Sequence, residues 1–258
     1  MMMPNLTQIV LGLSSGALVG FSLGLVGGGG SILAVPLMTY VVGVPSAHVA
    51  IGTSAFAVAL NAAGNLTLQA RGGQVKWRCA AVFAVAGVIG ALAGSSLSKM
   101  VDGTRLLMLF GMLMLGVAAV MFTKRAAAGD PAVRLNRGNL PALLVLGLGT
   151  GALSGFFGIG GGFLIVPALM LASGMPIQNA ASSSLVAVTA FGAAAAANYA
   201  ISGLVDWQLA AVFILGGLAG GTLGSRAGVA LIPHRGALNV LFSALIGAVA
   251  LYVIYRSV

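Results

Sequence analysis

Residues 24–36 read Gly-Leu-Val-Gly-Gly-Gly-Gly-Ser-Ile-Leu-Ala-Val-Pro, and residues 155–167 read Gly-Phe-Phe-Gly-Ile-Gly-Gly-Gly-Phe-Leu-Ile-Val-Pro, 131 positions later. The correspondence continues after a one-residue deletion, so that Val-Lys-Trp at 75–77 is matched by Val-Asp-Trp at 205–207. Self-similarity at a nearly constant spacing is the sequence signature of an internal repeat. The chain therefore contains two copies of one pattern.

Around these glycine-rich stretches the sequence is almost entirely apolar. Hydrophobic residues make up 59% of the 258 positions, charged residues only 6%, and the mean hydropathy is +1.10. A soluble domain is about 25% charged, so this composition predicts an all-α polytopic membrane protein in a lipid bilayer. The net charge of +9 arises from basic residues scattered between apolar runs, which is typical of topology signals and excludes a nucleic-acid-binding protein.

Apolar runs between breaks give five segments in each half. They lie at 6–26, 31–42, 47–70, 77–98 and 104–122, and at 140–157, 162–173, 177–200, 207–230 and 235–255. Most of them reach the ~20 residues that cross a bilayer, but 31–42 and 162–173 do not. We therefore expect a first transmembrane repeat at 1–122, a basic linker at 123–139 and a second repeat at 140–258.

Charges on equivalent loops predict that the two repeats have opposite orientations. Loop 71–78 carries Arg71, Lys76 and Arg78, whereas its counterpart 201–207 carries only Asp206. The positive-inside rule places loop 71–78 and the linker in the cytoplasm and both termini outside. Such inversion requires an odd number of crossings per half, which either five crossings or three crossings plus a re-entrant pair would satisfy. Short segments after a glycine break favour broken or re-entrant helices, which mark the substrate site in inverted-repeat transporters.

The two glycine clusters, 27–30 and 158–162, predict an anion site. Non-helical backbone at membrane depth is tolerated only when it is buried in protein or lines a cavity. A short helix that starts at Ser31 or at Gly162 would direct its free N–H groups and the positive end of its dipole into that cavity. The alternative is a tight turn that permits close helix packing. The backbone of the following residues forms the candidate site: Gly28, Gly29, Gly30, Ser31, Gly160, Gly161 and Gly162.

Polar side chains in the third segment of each half extend this candidate site. The hydroxyls occupy equivalent places after a proline, and the amides lie further along the same segments: Thr53, Ser54, Ser183, Ser184, Asn61, Asn65 and Asn198. Converging on a pseudo-two-fold axis, these groups would replace the hydration water of an oxyanion. The alternative for the hydroxyls is a hydrogen bond to the backbone four residues earlier or to a neighbouring helix.

The acidic residues bear on mechanism by their scarcity. Only Asp102, Asp130 and Asp206 are acidic, and all three fall in loops or at segment ends. Almost no carboxylate is left for acid–base catalysis or for binding hard metals, and the single cysteine, Cys79, excludes a cysteine-based metal site. We therefore expect no enzymatic activity, no catalytic residue, no metal and no cofactor.

The paired stretches at 24–36 and 155–167, together with the Val-Asp-Trp corner at 205–207, resemble the signature of the TauE/SafE family. The resemblance covers essentially the whole chain. It implies a bacterial inner-membrane permease of the kind that exports sulfite or organosulfonates. Lys76 stands where the second half has Asp206, so this corner is asymmetric and is not expected to bind substrate.

These observations lead to a functional hypothesis: alternating-access export of a small oxyanion, sulfite or an organosulfonate such as sulfoacetate, without a coupling ion. In a cell that is negative inside, moving one negative charge outward gains ~2.3 kcal/mol per 100 mV. The main alternative is ion-coupled uptake of a small anion such as thiosulfate, a sulfonate or a carboxylate. A membrane scaffold subunit without transport activity is a further alternative. The sequence leaves the oligomeric state open.

Overall fold

A computed structural model describes residues 5–123, 130, 133–230 and 235–257. The helices run in the order α1 Leu6–Val26, a 3₁₀ helix Gly27–Leu33, α2 Ala34–Pro36, a π-helical turn Leu37–Val41, α3 Ala47–Ala70, α4 Trp77–Ser98, α5 Gly103–Thr123, α6 Leu140–Phe157, α7 Gly162–Ser173, α8 Ile177–Ile201, α9 Trp207–Ala230 and α10 Arg235–Ser257. Much of the predicted linker, including Lys124 and Arg125, lies outside the described residues.

The predicted all-α membrane architecture is confirmed. Within the described ranges, six helices are long and apolar enough to cross a bilayer: α1, α3, α4, α6, α8 and α9. Shorter apolar helices lie at Gly30–Val41, Gly103–Ala119, Gly162–Ser173 and Ala244–Arg256. Large apolar side chains such as Val85, Leu171 and Ile201 point outward, Ile201 with 88% exposure. An apolar exterior of this kind suits lipid rather than water.

The two glycine breaks differ in conformation, and the predicted helix start at Ser31 is wrong. The chain passes directly from α1 into the 3₁₀ helix at Gly27, which has a φ of 74°. The π-helical turn follows Pro36, whose missing N–H cannot continue a regular hydrogen-bond ladder. In the second half α6 ends before Gly158, and α7 begins at Gly162 as predicted.

Helices of one half pack mainly against helices of the other half. Helix α1 lies along α9 in parallel orientation, with Gly16 against the backbone of Phe213 and Gly20 against Gly217. Helix α4 lies along α6 in the same manner, with Gly87 against Gly151. Glycines spaced by four residues present a flat stripe that lets two backbones touch. The glycine ladders therefore join the two halves.

Helices α3 and α8 form the centre of the molecule and run antiparallel. Gly52, near the start of α3, packs against Tyr199, near the end of α8. At the opposite end, the Ser182 hydroxyl donates to Gln69 Oε1 at 2.8 Å. Helix α4 flanks this pair on one side and α9 on the other, while α5 and α10 pack against each other.

Helix ends gather at two opposite ends of the molecule. At one, here called the terminal end, His48 at the start of α3 contacts the carbonyl of Ser98 at the end of α4 at 3.2 Å, and Gly103 at the start of α5 lies beside them. At the other, the linker end, Asn179 Nδ2 donates to the carbonyl of Gln74 at 2.7 Å. In the first half, α1 and the broken run 27–41 precede α3, α4 and α5.

The glycine ladder generates a prediction on helix α6. Gly151 faces the backbone of Gly87, where a Cβ would overlap the carbonyl, whereas Gly149 has open space around its Cβ position. We expect Gly151→Ala to destabilise the protein by about 1–3 kcal/mol, the usual cost of overpacking. The melting temperature of the detergent-solubilised protein measures the effect. Gly149→Ala is the matched control and should melt at or above the wild-type temperature, because alanine favours helix. Equal melting temperatures for the two variants would contradict the cross-repeat packing.

Candidate functional site

The two glycine breaks meet each other in the interior of the molecule. Gly28 and Gly162 touch through their backbones, so that a Cβ on Gly162 would overlap the carbonyl of Gly28. A Cβ on Gly160 would lie 3.0 Å from Val58 and 2.9 Å from Val188. These valines occupy equivalent positions halfway along α3 and α8. The breaks therefore meet at the middle of the central helix pair, where a two-fold axis between the halves would pass.

Helix α7 begins at this junction. The carbonyl of Gly161 accepts hydrogen bonds from Leu164 N and Ile165 N, at 2.9 and 3.0 Å. The N–H groups of Gly162 and Phe163, which precede them, have no acceptor within the helix. Free N–H groups at the positive end of a helix dipole are suited to binding an anion. The preceding turn has φ values of 64°, 65° and 64° at Gly158, Gly160 and Gly161, a left-handed conformation that glycine adopts without strain.

A buried hydroxyl faces this turn. Ser154 on α6 is 0% exposed, and its Oγ has no hydrogen-bond partner in the described part of the chain. The Cβ position of Gly161 lies 3.0 Å from that oxygen. A buried hydroxyl without a partner costs about 1–3 kcal/mol, a cost that a bound oxyanion would remove. Ser154 therefore belongs to the candidate site at the second glycine break, Gly158–Gly162.

Sequence reasoning missed Ser154. The residue lies in a glycine ladder formed by Gly147, Gly151 and Gly155, which indicated helix packing, and it has no hydroxyl neighbour in sequence. Its counterpart 131 positions earlier is Leu23. A polar residue in one copy that replaces an apolar residue in the other is the sequence signal that could have identified Ser154.

Polar groups at the first glycine break, Gly27–Gly30, are bonded within the protein. Gly28 N donates to Ser184 Oγ at 3.2 Å, and Ser31 Oγ donates to the carbonyl of Gly28 at 3.0 Å. Gly30 packs against the backbone of Ser22, and Gly29 lies within the same 3₁₀ helix. The first break therefore presents fewer free donors than the second.

The two predicted hydroxyl clusters join the halves. Thr53 Oγ1 accepts a hydrogen bond from Asp206 N at 2.9 Å, and Ser183 Oγ accepts one from Lys76 N at 2.8 Å. Asp206 and Lys76 immediately precede α9 and α4, so each hydroxyl holds the start of a helix from the opposite half. The two hydrogen bonds join equivalent positions of the two halves.

The neighbouring hydroxyls are also bonded to backbone. Ser54 Oγ donates to the carbonyl of Ile51 at 3.0 Å and contacts the carbonyl of Gly158 at 3.3 Å. Ser184 Oγ donates to the carbonyl of Ala181 at 2.7 Å. Bonding to backbone is the alternative that the sequence left open for these residues, and all four hydroxyls adopt it.

The three predicted amides lie apart from the junction. Asn198 is near the terminal end, where its Nδ2 donates to Ser95 Oγ at 2.7 Å and its Oδ1 accepts from Lys99 Nζ at 2.8 Å. Asn61 and Asn65 are buried on the side of α3 that faces α9. The structure therefore brings together Gly28, Gly160–Gly162 and Ser184, but places the amides elsewhere.

Comparison with known proteins agrees with this architecture. The family model described as "Sulfite exporter TauE/SafE" matches residues 12–253. A "Probable membrane transporter protein" of Xylella fastidiosa strain Temecula1 is 49% identical over 256 residues, 98% of this chain and 97% of that protein. The "Probable membrane transporter protein YunE" of Bacillus subtilis is 27% identical over 240 residues, 84% of this chain and 86% of that protein. No solved structure gives a significant match.

The hydroxyl pairing generates a prediction on helix α3. We expect Thr53→Val to lower the free energy of unfolding by roughly 1–3 kcal/mol, because the N–H of Asp206 loses its buried acceptor. Thr67→Val is the matched control on the same helix, since the exposed Thr67 hydroxyl bonds only to the carbonyl of Gly64. Thermal unfolding of the two variants tests the pairing. If Thr53→Val melts like the wild type but binds the anion more weakly, the Thr53 hydroxyl binds substrate rather than stabilising the start of α9.

Proposed function

We propose, from the premise that the chain belongs to the sulfite exporter TauE/SafE family, that it exports a small sulfur-containing oxyanion, either sulfite or an organosulfonate such as sulfoacetate. Family membership makes the protein a membrane transporter and not an enzyme, in agreement with the names of its relatives. The substrate and the direction of transport are parts of the proposal.

One observation carries the assignment of an anion as substrate. The N-terminus of α7 and the Ser154 hydroxyl meet at the second glycine break, midway along α3 and α8. These donors recognise the oxygens of a tetrahedral or pyramidal sulfur oxyanion without a charged side chain. Gly28, from the first break, touches Gly162 at the start of α7. The proposed site therefore consists of Ser154, Gly160–Gly162 and the backbone at Gly28.

The helix directions support transport by alternating access between inverted repeats. Helix α1 starts at the terminal end, because it runs parallel to α9, whose start contacts Thr53. Its counterpart α6 starts at the linker end, because it runs parallel to α4. Equivalent helices thus point in opposite directions, and a site between them can open to either side by rocking of one half against the other.

The distribution of basic residues supports a cytoplasmic location for the linker end. Arg71, Lys76 and Arg78 lie at that end, whereas the equivalent corner at the terminal end carries Asp206. By the positive-inside rule, both chain termini then lie outside a bacterial inner membrane. In this orientation, export moves the anion from the linker end to the terminal end.

The acidic residues support transport without a proton or carboxylate-bound ion. Asp102 Oδ1 accepts from Thr104 N at 3.0 Å at the start of α5, and Asp206 Oδ1 accepts from Gln208 N at 3.1 Å at the start of α9. Both carboxylates therefore cap helices. An inside-negative potential of 100 mV contributes ~2.3 kcal/mol to outward movement of one negative charge, about a 50-fold gradient at equilibrium. Uncoupled export needs no further energy source.

Flux through reconstituted liposomes tests direction and coupling. We expect the rate of sulfite or sulfoacetate efflux to depend on a membrane potential clamped with K⁺ and valinomycin. The rate should not change with gradients of H⁺ or Na⁺. Lactate and thiosulfate serve as competing substrates. Flux that ignores the potential but follows a pH or Na⁺ gradient would replace export with ion-coupled uptake. Absence of flux for all of these anions would contradict a sulfur oxyanion as the substrate.

Replacement of the buried hydroxyl tests the site itself. We expect Ser154→Ala to weaken sulfite or sulfonate binding about 10-fold, since a hydrogen bond to a charged group contributes ~1.5–3 kcal/mol. Its melting temperature should not fall, because no protein hydrogen bond is lost. Thr150→Val, one turn earlier on α6, is the matched control, since that hydroxyl bonds to the carbonyl of Leu146. Unchanged affinity in Ser154→Ala would remove Ser154 from the site.

A further inference from the structure

A second polar locus lies on the part of α3 that packs against α9. Asn61 is 0% exposed and Asn65 is 2% exposed, and they occupy one helix face a turn apart. Three amide atoms have no partner in the described part of the chain: Asn61 Nδ2, Asn61 Oδ1 and Asn65 Oδ1. Burying amides in a membrane protein without hydrogen bonds is costly, and polar residues in this position are functional by default.

The second half shows that the fold does not require these amides. Asn61 packs against Gly217, and its counterpart Phe191 packs against Gly87 in the same manner, each pair being offset by 130 positions. Asn65 likewise corresponds to Ala195. The apolar version fills the equivalent space without any unsatisfied group. The amides therefore serve a purpose that only the first half has.

The orientation of Asn65 is fixed, and it presents an acceptor. Asn65 Nδ2 donates to the carbonyl of Asn61 at 3.0 Å, which leaves Asn65 Oδ1 free. Gly221 of α9 touches both Asn65 and Gly24, so the amide lies near the C-terminal end of α1, which stops at Val26. Helix α1 gives way there to the 3₁₀ helix that starts at Gly27, and the last carbonyls of an α-helix form the negative end of its dipole.

We propose that Asn61, Asn65 and the C-terminal end of α1 bind a monovalent cation, Na⁺. Carbonyl oxygens and a negative helix end attract a hard cation, whereas the free N–H groups at the start of α7 attract an anion. Ca²⁺ and Mg²⁺ require carboxylate ligands, and none lies on α1, α3 or α9 within the described residues. Broken membrane helices bind Na⁺ with such carbonyls and helix C-termini.

The site does not depend on the proposed transport function, because binding is measured at equilibrium without any anion substrate. The purified protein is titrated with NaCl against choline chloride at constant ionic strength, and its melting temperature is followed. A ligand that binds only the folded state stabilises that state as its concentration rises. We expect a saturable rise in melting temperature with Na⁺, and saturable uptake of radioactive Na⁺ by the same preparation.

The sequence of the second half provides the variant that tests the site. Asn61→Phe combined with Asn65→Ala copies the residues of the second half, so the altered helix should pack against α9 as α8 packs against α4. We expect this double variant to melt at least as high as the wild type in choline and to lose the whole Na⁺-dependent shift. Asn65→Ala alone provides the same readout if the larger change disturbs folding. Asn198→Ala is the matched control: it removes an amide at the terminal end and should keep the wild-type Na⁺ response.

Two results would overturn the proposal. One is a wild-type protein that melts equally in Na⁺ and choline and binds no radioactive Na⁺. The other is a Na⁺ response that persists in the double variant. Either result would mean that these amides bind only water. The liposome flux of anions is a separate measurement, so a failure there leaves the cation site intact.

Discussion

Backbone groups at membrane depth must find partners inside the protein, and this requirement shapes the whole structure. Both halves interrupt a helix with glycines beside α3 and α8, two helices long and apolar enough to cross a bilayer. Exposed N–H and C=O groups would be prohibitive there. The two breaks bury their backbone groups by packing on each other between Val58 and Val188. Neither half can bury its break alone, so the two repeats form one folded unit.

The remaining contacts keep the two breaks together. Glycine ladders bind α1 to α9 and α4 to α6 across the repeats, and buried hydroxyls on α3 and α8 hold the starts of α9 and α4. These contacts are nearly equivalent in the two halves. The polar groups without partners are not equivalent, since Ser154 corresponds to Leu23, and Asn61 to Phe191. The two halves therefore share their packing but differ in their buried polar groups.

Much of the fold was predictable, because helix boundaries coincide with glycine, proline and charged residues. The predicted segments 47–70, 77–98 and 162–173 coincide with α3, α4 and α7. The 3₁₀ and π-helical path of 27–41 was not predictable, since it depends on how Gly30 packs against Ser22. The candidate site stays a prediction. The sequence indicated its glycine backbone by repetition, but the hydrogen-bond partners of the hydroxyls depend on the pairing of α3 with α8, which the sequence does not reveal.

The central claim is that the second glycine break and Ser154 form a buried anion site between the two halves. Cysteine labelling tests it directly, using Ser154→Cys in a Cys79→Ser background and a negatively charged, membrane-impermeant methanethiosulfonate. If the site opens to solvent during transport, the introduced thiol will react despite its burial, and sulfoacetate will slow the reaction. A thiol that never reacts, or one whose reaction rate sulfoacetate does not change, would contradict the account.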